Sequence, residues 1–267
     1  MKVRRVEHSQ EMPFLDHLEE LRWRIIYSLA ALLVTTLVGF WAVTKFDVLG
    51  LLIRPITPFL HGTKLKYLNP TDPFFITLHL AMTVGLLLAL PIIVYQVWAF
   101  VAPALKKEEK RAILPALYLG LVLFAIGAAL AYFGAIPLTL RFMMSFQSAS
   151  LEQNIIISEY MGFVVKIILA FGLVFELPVV VLILASLGLI TSAFLVRMRR
   201  YFIVVAAIAA SLLTPGDAVS LTIFLMAPLM LLYELSILLA KLVERRRAKA
   251  AAAAARAEGA DFAAEAL

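Results

Sequence analysis

The sequence predicts an all-α integral membrane protein: six kinked transmembrane helices in a concave assembly, with both termini cytoplasmic. Three observations predict it. Of 267 residues, 63% are hydrophobic and only 16% are charged, whereas a soluble domain is roughly half apolar and about a quarter charged. The apolar residues gather into six long runs, and the basic residues alternate from one connection to the next. The mean hydropathy of +0.96 says the same thing, because one core of this size cannot enclose that surplus and lipid must cover it. A charge of +6 with a pI near 9.6 would suggest a nucleic-acid partner in a soluble chain. Here the basic residues lie between apolar runs and read as topology, so no nucleic acid is expected. There is no cysteine, which excludes disulfides and thiol chemistry.

The elements follow in order. Residues 1–24 form a polar amphipathic region, 25–241 the membrane domain, and 242–267 a low-complexity, Ala-rich cytoplasmic tail expected to be a frayed helix or disordered. The polar lead and the length of the first apolar run argue against a cleaved signal peptide. Spanning the hydrocarbon takes about 20 apolar residues. Runs start near Ile25, Phe74, Ile113, Gly162, Tyr201 and Ala218. The fifth, Tyr201 to Thr214, is only about fourteen residues, short enough by itself for a re-entrant segment.

Charge decides that point. Lys2, Arg4, Arg5, Arg22 and Arg24 precede the first run. Lys106, Lys107, Lys110 and Arg111 lie in the second connection, Arg197, Arg199 and Arg200 in the fourth, and Lys241, Arg245, Arg246, Arg247, Lys249 and Arg256 in the tail. The other side has only Lys45, Arg54, Lys64, Lys66 and Arg141. The positive-inside rule then puts both ends in the cytoplasm, which requires the fifth run to cross. Two long outer connections, Thr44–Pro73 and Gly134–Met161, are expected to form short capping helices, and Thr214–Asp217 a tight turn. Pro91, Pro115, Pro178 and Pro228 fall within spans and predict kinks.

Four constellations stand out. Phe14, Leu18, Leu21 and Ile25 make a helical stripe that carries Glu20 and Arg22 to the membrane edge. From pattern alone, an interfacial helix with solvated charges is the plainer and favoured explanation. Tyr95–Arg111 holds Glu108 and Glu109 in an otherwise basic loop, where local charge balance would suffice. Glu176 lies about 21 Å into the fourth span, where a charge costs at least about 2.5 kcal/mol. It is therefore either functional or a neutral group bonding between helices. Leu212–Asp217 is a polar turn with nothing specific about it. Phosphate-loop, metal-ligand and nucleophile patterns are missing, so neither enzyme activity, nor a metal, nor a cofactor is expected.

Taken together, the segments resemble the TatC family, the polytopic subunit of the twin-arginine protein translocase. The resemblance runs from about Met12 to Lys241. It rests on His17-Leu-Glu-Glu-Leu-Arg22, on Tyr95-Gln-Val-Trp-Ala-Phe100 continuing through Ala102-Pro-Ala-Leu to Glu109-Lys-Arg, on Phe175-Glu-Leu-Pro178, and on Leu213-Thr-Pro-Gly-Asp217. The resemblance implies a receptor that binds the paired arginines of signal peptides at its cytoplasmic face, through Glu20 and Glu109, with Arg22 and Phe100 beside them. It implies partners of the TatA and TatB type, self-association in the receptor complex, functional positions at Pro55, Thr214 and Asp217, and export of folded cargo driven by the proton-motive force across the cytoplasmic (inner) membrane. Glu176 alone suggests a rival, a proton- or ion-coupled secondary transporter, although the two halves of the chain show no repeat.

Overall fold

The computed structural model describes residues 14–60, 62–101, 107–145, 154–213 and 219–265, with backbone alone at 14, 15, 101 and 107–114 and at several later helical positions. Among the described residues the chain is helical, apart from turns and one isolated bridge between Lys66 and Ile156. Lipid leaves a backbone little other choice, since every amide and carbonyl must be satisfied within the segment.

Helix α1, Phe14–Lys45, joins the amphipathic stripe to the first span without a break. Asp47, in the left-handed region, caps α2, Val48–Ile53, by accepting from the Gly50 amide at 3.1 Å. A single 3₁₀ turn, Thr57–Phe59, follows. These are short helices of the kind expected in this connection from the sequence. Helix α3, Asp72–Val101, returns to the starting end and runs through Pro91.

Helix α4, Lys107–Leu130, goes out again through Pro115. The expected connection from Gly134 is shorter than predicted. A π-helical turn at Ala131–Ala135 leads directly into α5, Ile136–Ser145. Pro137 supplies the reason. It has no amide for the carbonyl four residues back and its ring crowds that carbonyl, and a wider turn just before it accommodates both.

The fourth run is also two helices. Helix α6, Ile157–Phe175, ends at Glu176, and α7, Leu177–Ser186, restarts with Pro178 in its first turn. Helix α8, Ser192–Leu213, and α9, Val219–Glu265, complete the chain. Helix α9 continues through the Ala-rich tail, which is helical as far as it is described.

Among the described residues, five helical stretches are long and apolar enough to cross a membrane: Asp16–Lys45, Asp72–Phe100, Pro115–Ser145, Ile157–Ser186 and Met226–Lys249. Helix α8 stands apart, because Arg197, Arg199 and Arg200 precede its apolar stretch. The main packing order runs from α1 to α3, then α6 and α4, then α7, α9 and α8. It is an open row in which α1–α3 and α8–α9 are the outer pairs.

At one end, Tyr132 Oη donates to the Leu51 carbonyl at 2.7 Å and Tyr160 Oη to that of Leu52 at 2.8 Å, fixing α2 over the spans. At the other, Glu244 of α9 accepts from the amide and hydroxyl of Ser192, both at 2.6 Å, and so caps α8. Between these ends, α1 and α3 touch backbone to backbone. A Cβ on Gly39 would strike the Ala81 carbonyl, and one on Gly85 would come 2.6 Å from Thr36 Cα.

Candidate functional site at the α1–α3 end

The close crossing of α1 and α3 brings their charged and aromatic ends together. Glu20 lies one turn before Arg24 on α1, and Arg24 Nη2 donates to Glu20 Oε1 at 3.0 Å. The same guanidinium reaches across to α3, where Nη1 donates to Gln96 Oε1 at 3.0 Å. Arg24 thus ties the carboxylate on one helix to the amide on the other, as its forked donors allow.

One turn toward the N-terminus, His17 lies flat on Phe100 of α3, with ring centroids 4.3 Å apart and planes 9° from parallel. Its Nδ1 is 3.6 Å from Glu20 Oε2. That oxygen is buried and has no hydrogen-bond partner, and neither has Trp98 Nε1 nearby in sequence. Arg22 is exposed; the arginine paired with Glu20 is Arg24. Glu109 falls in the first turn of α4, where the helix dipole favours a carboxylate; its side chain lies outside the described residues.

The other sequence-predicted positions are elsewhere. Glu176 is at the joint between α6 and α7. Its Oε1 is buried without a partner, and its Oε2 faces α4 so closely that a Cβ on Gly120 would be 2.6 Å away. Pro55 is half-buried beside the fully buried Ile56, between α2 and the 3₁₀ turn. Thr214 and Asp217 lie outside the described residues. Lys166 is exposed on α6. Sequence reasoning passed over His17, Arg24 and Gln96 as individual participants. Spacing offered a signal for the first two, since they lie three and four positions from Glu20 on a helix. Gln96 is visible only once α3 is folded back on α1. No group of three or more histidines or carboxylates able to hold a metal occurs among the described residues.

Residues 16–228 match the family model for the Sec-independent protein translocase protein TatC. The chain belongs to the TatC family. TatC of Aquifex aeolicus is 38% identical over 239 residues, covering 88% of this chain and 98% of that one. TatC of Carboxydothermus hydrogenoformans is 39% identical over 236 residues, with 88% and 96% covered. A crystal structure of the twin-arginine translocase receptor TatC superimposes with a TM-score of 0.72 at 38% identity, over 85% of this chain and 99% of that one. The all-helical membrane architecture is therefore that of the TatC family, a component of a protein translocase. The secondary-transporter reading, drawn from Glu176 alone, gives way to it.

Proposed function

We propose that this chain is the signal-peptide receptor of a twin-arginine translocase in the cytoplasmic membrane, with the α1–α3 end facing the cytoplasm. One observation supports it above the others: Glu20 is held at the membrane edge, beside an aromatic stack, with one carboxylate oxygen still lacking a partner. An arginine brings planar, charge-assisted donors to such an acceptor, and a lysine brings a point charge. Glu109, at the start of α4, is the second carboxylate. Two carboxylates on separate elements select two arginines in register. Arg22 and Phe100 border the same surface.

Both termini are cytoplasmic in this reading, and α8 crosses as a short span. The bilayer thins beside such a helix or polar groups snorkel around it. Partner subunits of the TatA and TatB type dock there, near Thr214, with Pro55 and Asp217 at the outer face. Glu176 offers a polar contact within the membrane to a neighbouring or partner helix. The chain associates with itself in the receptor complex. Transport draws on the proton-motive force, and the chain itself performs no catalysis.

The decisive experiment measures affinity of the full-length protein in nanodiscs for a twin-arginine signal peptide and for its twin-lysine version. The receptor reading expects roughly tenfold to hundredfold preference, at 1.4 kcal/mol per decade. Equal affinity for the two peptides would refute it. Orientation is checked separately. The chain has no cysteine, so single cysteines placed in the tail and in the Thr214–Asp217 segment should label from opposite sides.

A further inference from the structure

Glu20 carries an unmet demand. Arg24 serves Oε1, but Oε2 is sealed from water and has no hydrogen-bond partner. A buried acceptor left in this state is costly. His17 Nδ1, at 3.6 Å, is beyond hydrogen-bond length. The His17 ring nevertheless has a suggestive pose. It lies flat on Phe100 and turns a nitrogen toward the sealed oxygen. A guanidinium has the same needs, being planar, stacking on aromatic faces and donating from its edge to carboxylates.

We infer that the His17 ring is the resting placeholder for one arginine of the signal peptide. The arginine displaces the ring, takes over its place on Phe100, and gives Oε2 the hydrogen bond that His17 leaves unmade. This rests on the receptor reading. The exchange keeps a stacking contact and adds a charge-assisted bond to an acceptor that had none. Arg24 and Gln96 stay in place through it, so the carboxylate is already anchored when the ligand arrives. The His17 side chain is 39% exposed against 20% for Glu20, so it swings into water without opening the core. A lysine has no plane to lay on Phe100, which makes His17 and Phe100, as well as the carboxylate, determinants of arginine over lysine.

Two measurements on the full chain in nanodiscs test this. The first is NMR of protein labelled in its histidine rings. There are four histidines, and loss of one signal in His17→Asn assigns the ring. Stacked on Phe100, the His17 ring protons are shifted by the ring current. Saturating twin-arginine peptide should move them to unstacked values, and twin-lysine peptide at the same concentration should leave them alone. A ring still stacked when twin-arginine peptide is fully bound overturns the inference. The second is affinity. His17→Ala removes the placeholder and should bind twin-arginine peptide about threefold to tenfold tighter, whereas Glu20→Gln should bind it weaker. If His17→Ala weakens binding as Glu20→Gln does, His17 merely positions the carboxylate and the inference falls, while the receptor reading stands. If the wild type does not distinguish the two peptides, both fall.

Discussion

Glu20 and Glu176 share a defect and little else. Each has one buried carboxylate oxygen without a hydrogen-bond partner. Around Glu20 are an arginine, a half-exposed histidine and the rim of two helices. Around Glu176 are a helix joint and the bare backbone at Gly120, which leaves room for the carboxylate because it has no Cβ. The first oxygen has a side-chain ring, that of His17, 3.6 Å away. The second sits where the α6–α7 joint meets the backbone of α4. On the receptor reading, an unsatisfied acceptor therefore means different things at the two places: an arginine's partner where a half-exposed ring lies beside it, and a constraint on packing where helices meet around it.

The sharpest test of that contrast is the Glu20→Gln, Glu109→Gln double variant. Exposed or partly desolvated pairs contribute on the order of 1 kcal/mol each, so twin-arginine affinity should drop roughly tenfold to hundredfold. Glu176→Gln should leave it within about twofold. A Glu176→Gln protein that folds and inserts but loses peptide binding breaks the comparison.

The two glycine contacts come next. Gly85→Val wedges α1 from α3 against the Thr36 backbone, with overpacking that costs about 1–3 kcal/mol. It should lower both the unfolding temperature and peptide affinity, because Gln96 and Phe100 then move away from Glu20. Gly120→Val in the other region should lower the unfolding temperature alone. Equal loss of binding in the two variants would mean that the regions are not separable.

A smaller effect is expected from Arg24→Lys. The ammonium keeps the charge but cannot hold Glu20 and Gln96 with one planar fork. Peptide affinity should fall about twofold to tenfold, read by titration, with little change in thermal stability. The smallest belongs to Gly120→Ala, whose new Cβ meets the far end of a flexible side chain. The expected cost is about 1 kcal/mol, relieved in the Gly120→Ala, Glu176→Ala double variant if the clash is the cause.

Much of the fold was legible before any coordinates. The apolar runs announced by Ile25, Phe74, Ile113, Gly162 and Tyr201 all lie on helices, because lipid forces the same backbone solution on any long apolar run. The motif singled out Glu20, and the structure places it on α1, paired with Arg24. The breaks were harder. Pro91, Pro115 and Pro228 sit inside uninterrupted helices, while Pro178 ends one and starts another, and Pro137 is preceded by a π turn. The difference depends on each proline's surroundings, which no single residue encodes. The His17–Phe100 stack was hidden for a related reason. It joins residues on two helices, and their juxtaposition depends on how closely Gly39 and Gly85 let those helices approach.

The loop that carries α2 has a bearing on how the protein is made. Its fastenings join Leu51 to Tyr132, Leu52 to Tyr160, and Lys66 to Ile155 and Ile157. Synthesis proceeds from the N-terminus, so α2 leaves the ribosome long before any of its anchors. The first helical hairpin enters the bilayer with its far loop unfastened and stays that way until Tyr132, late in the third apolar run, emerges, with the Lys66 and Tyr160 fastenings following at the start of the fourth. A nascent chain arrested before Tyr132 would therefore expose that loop to protease, and one arrested after α6 would shield it.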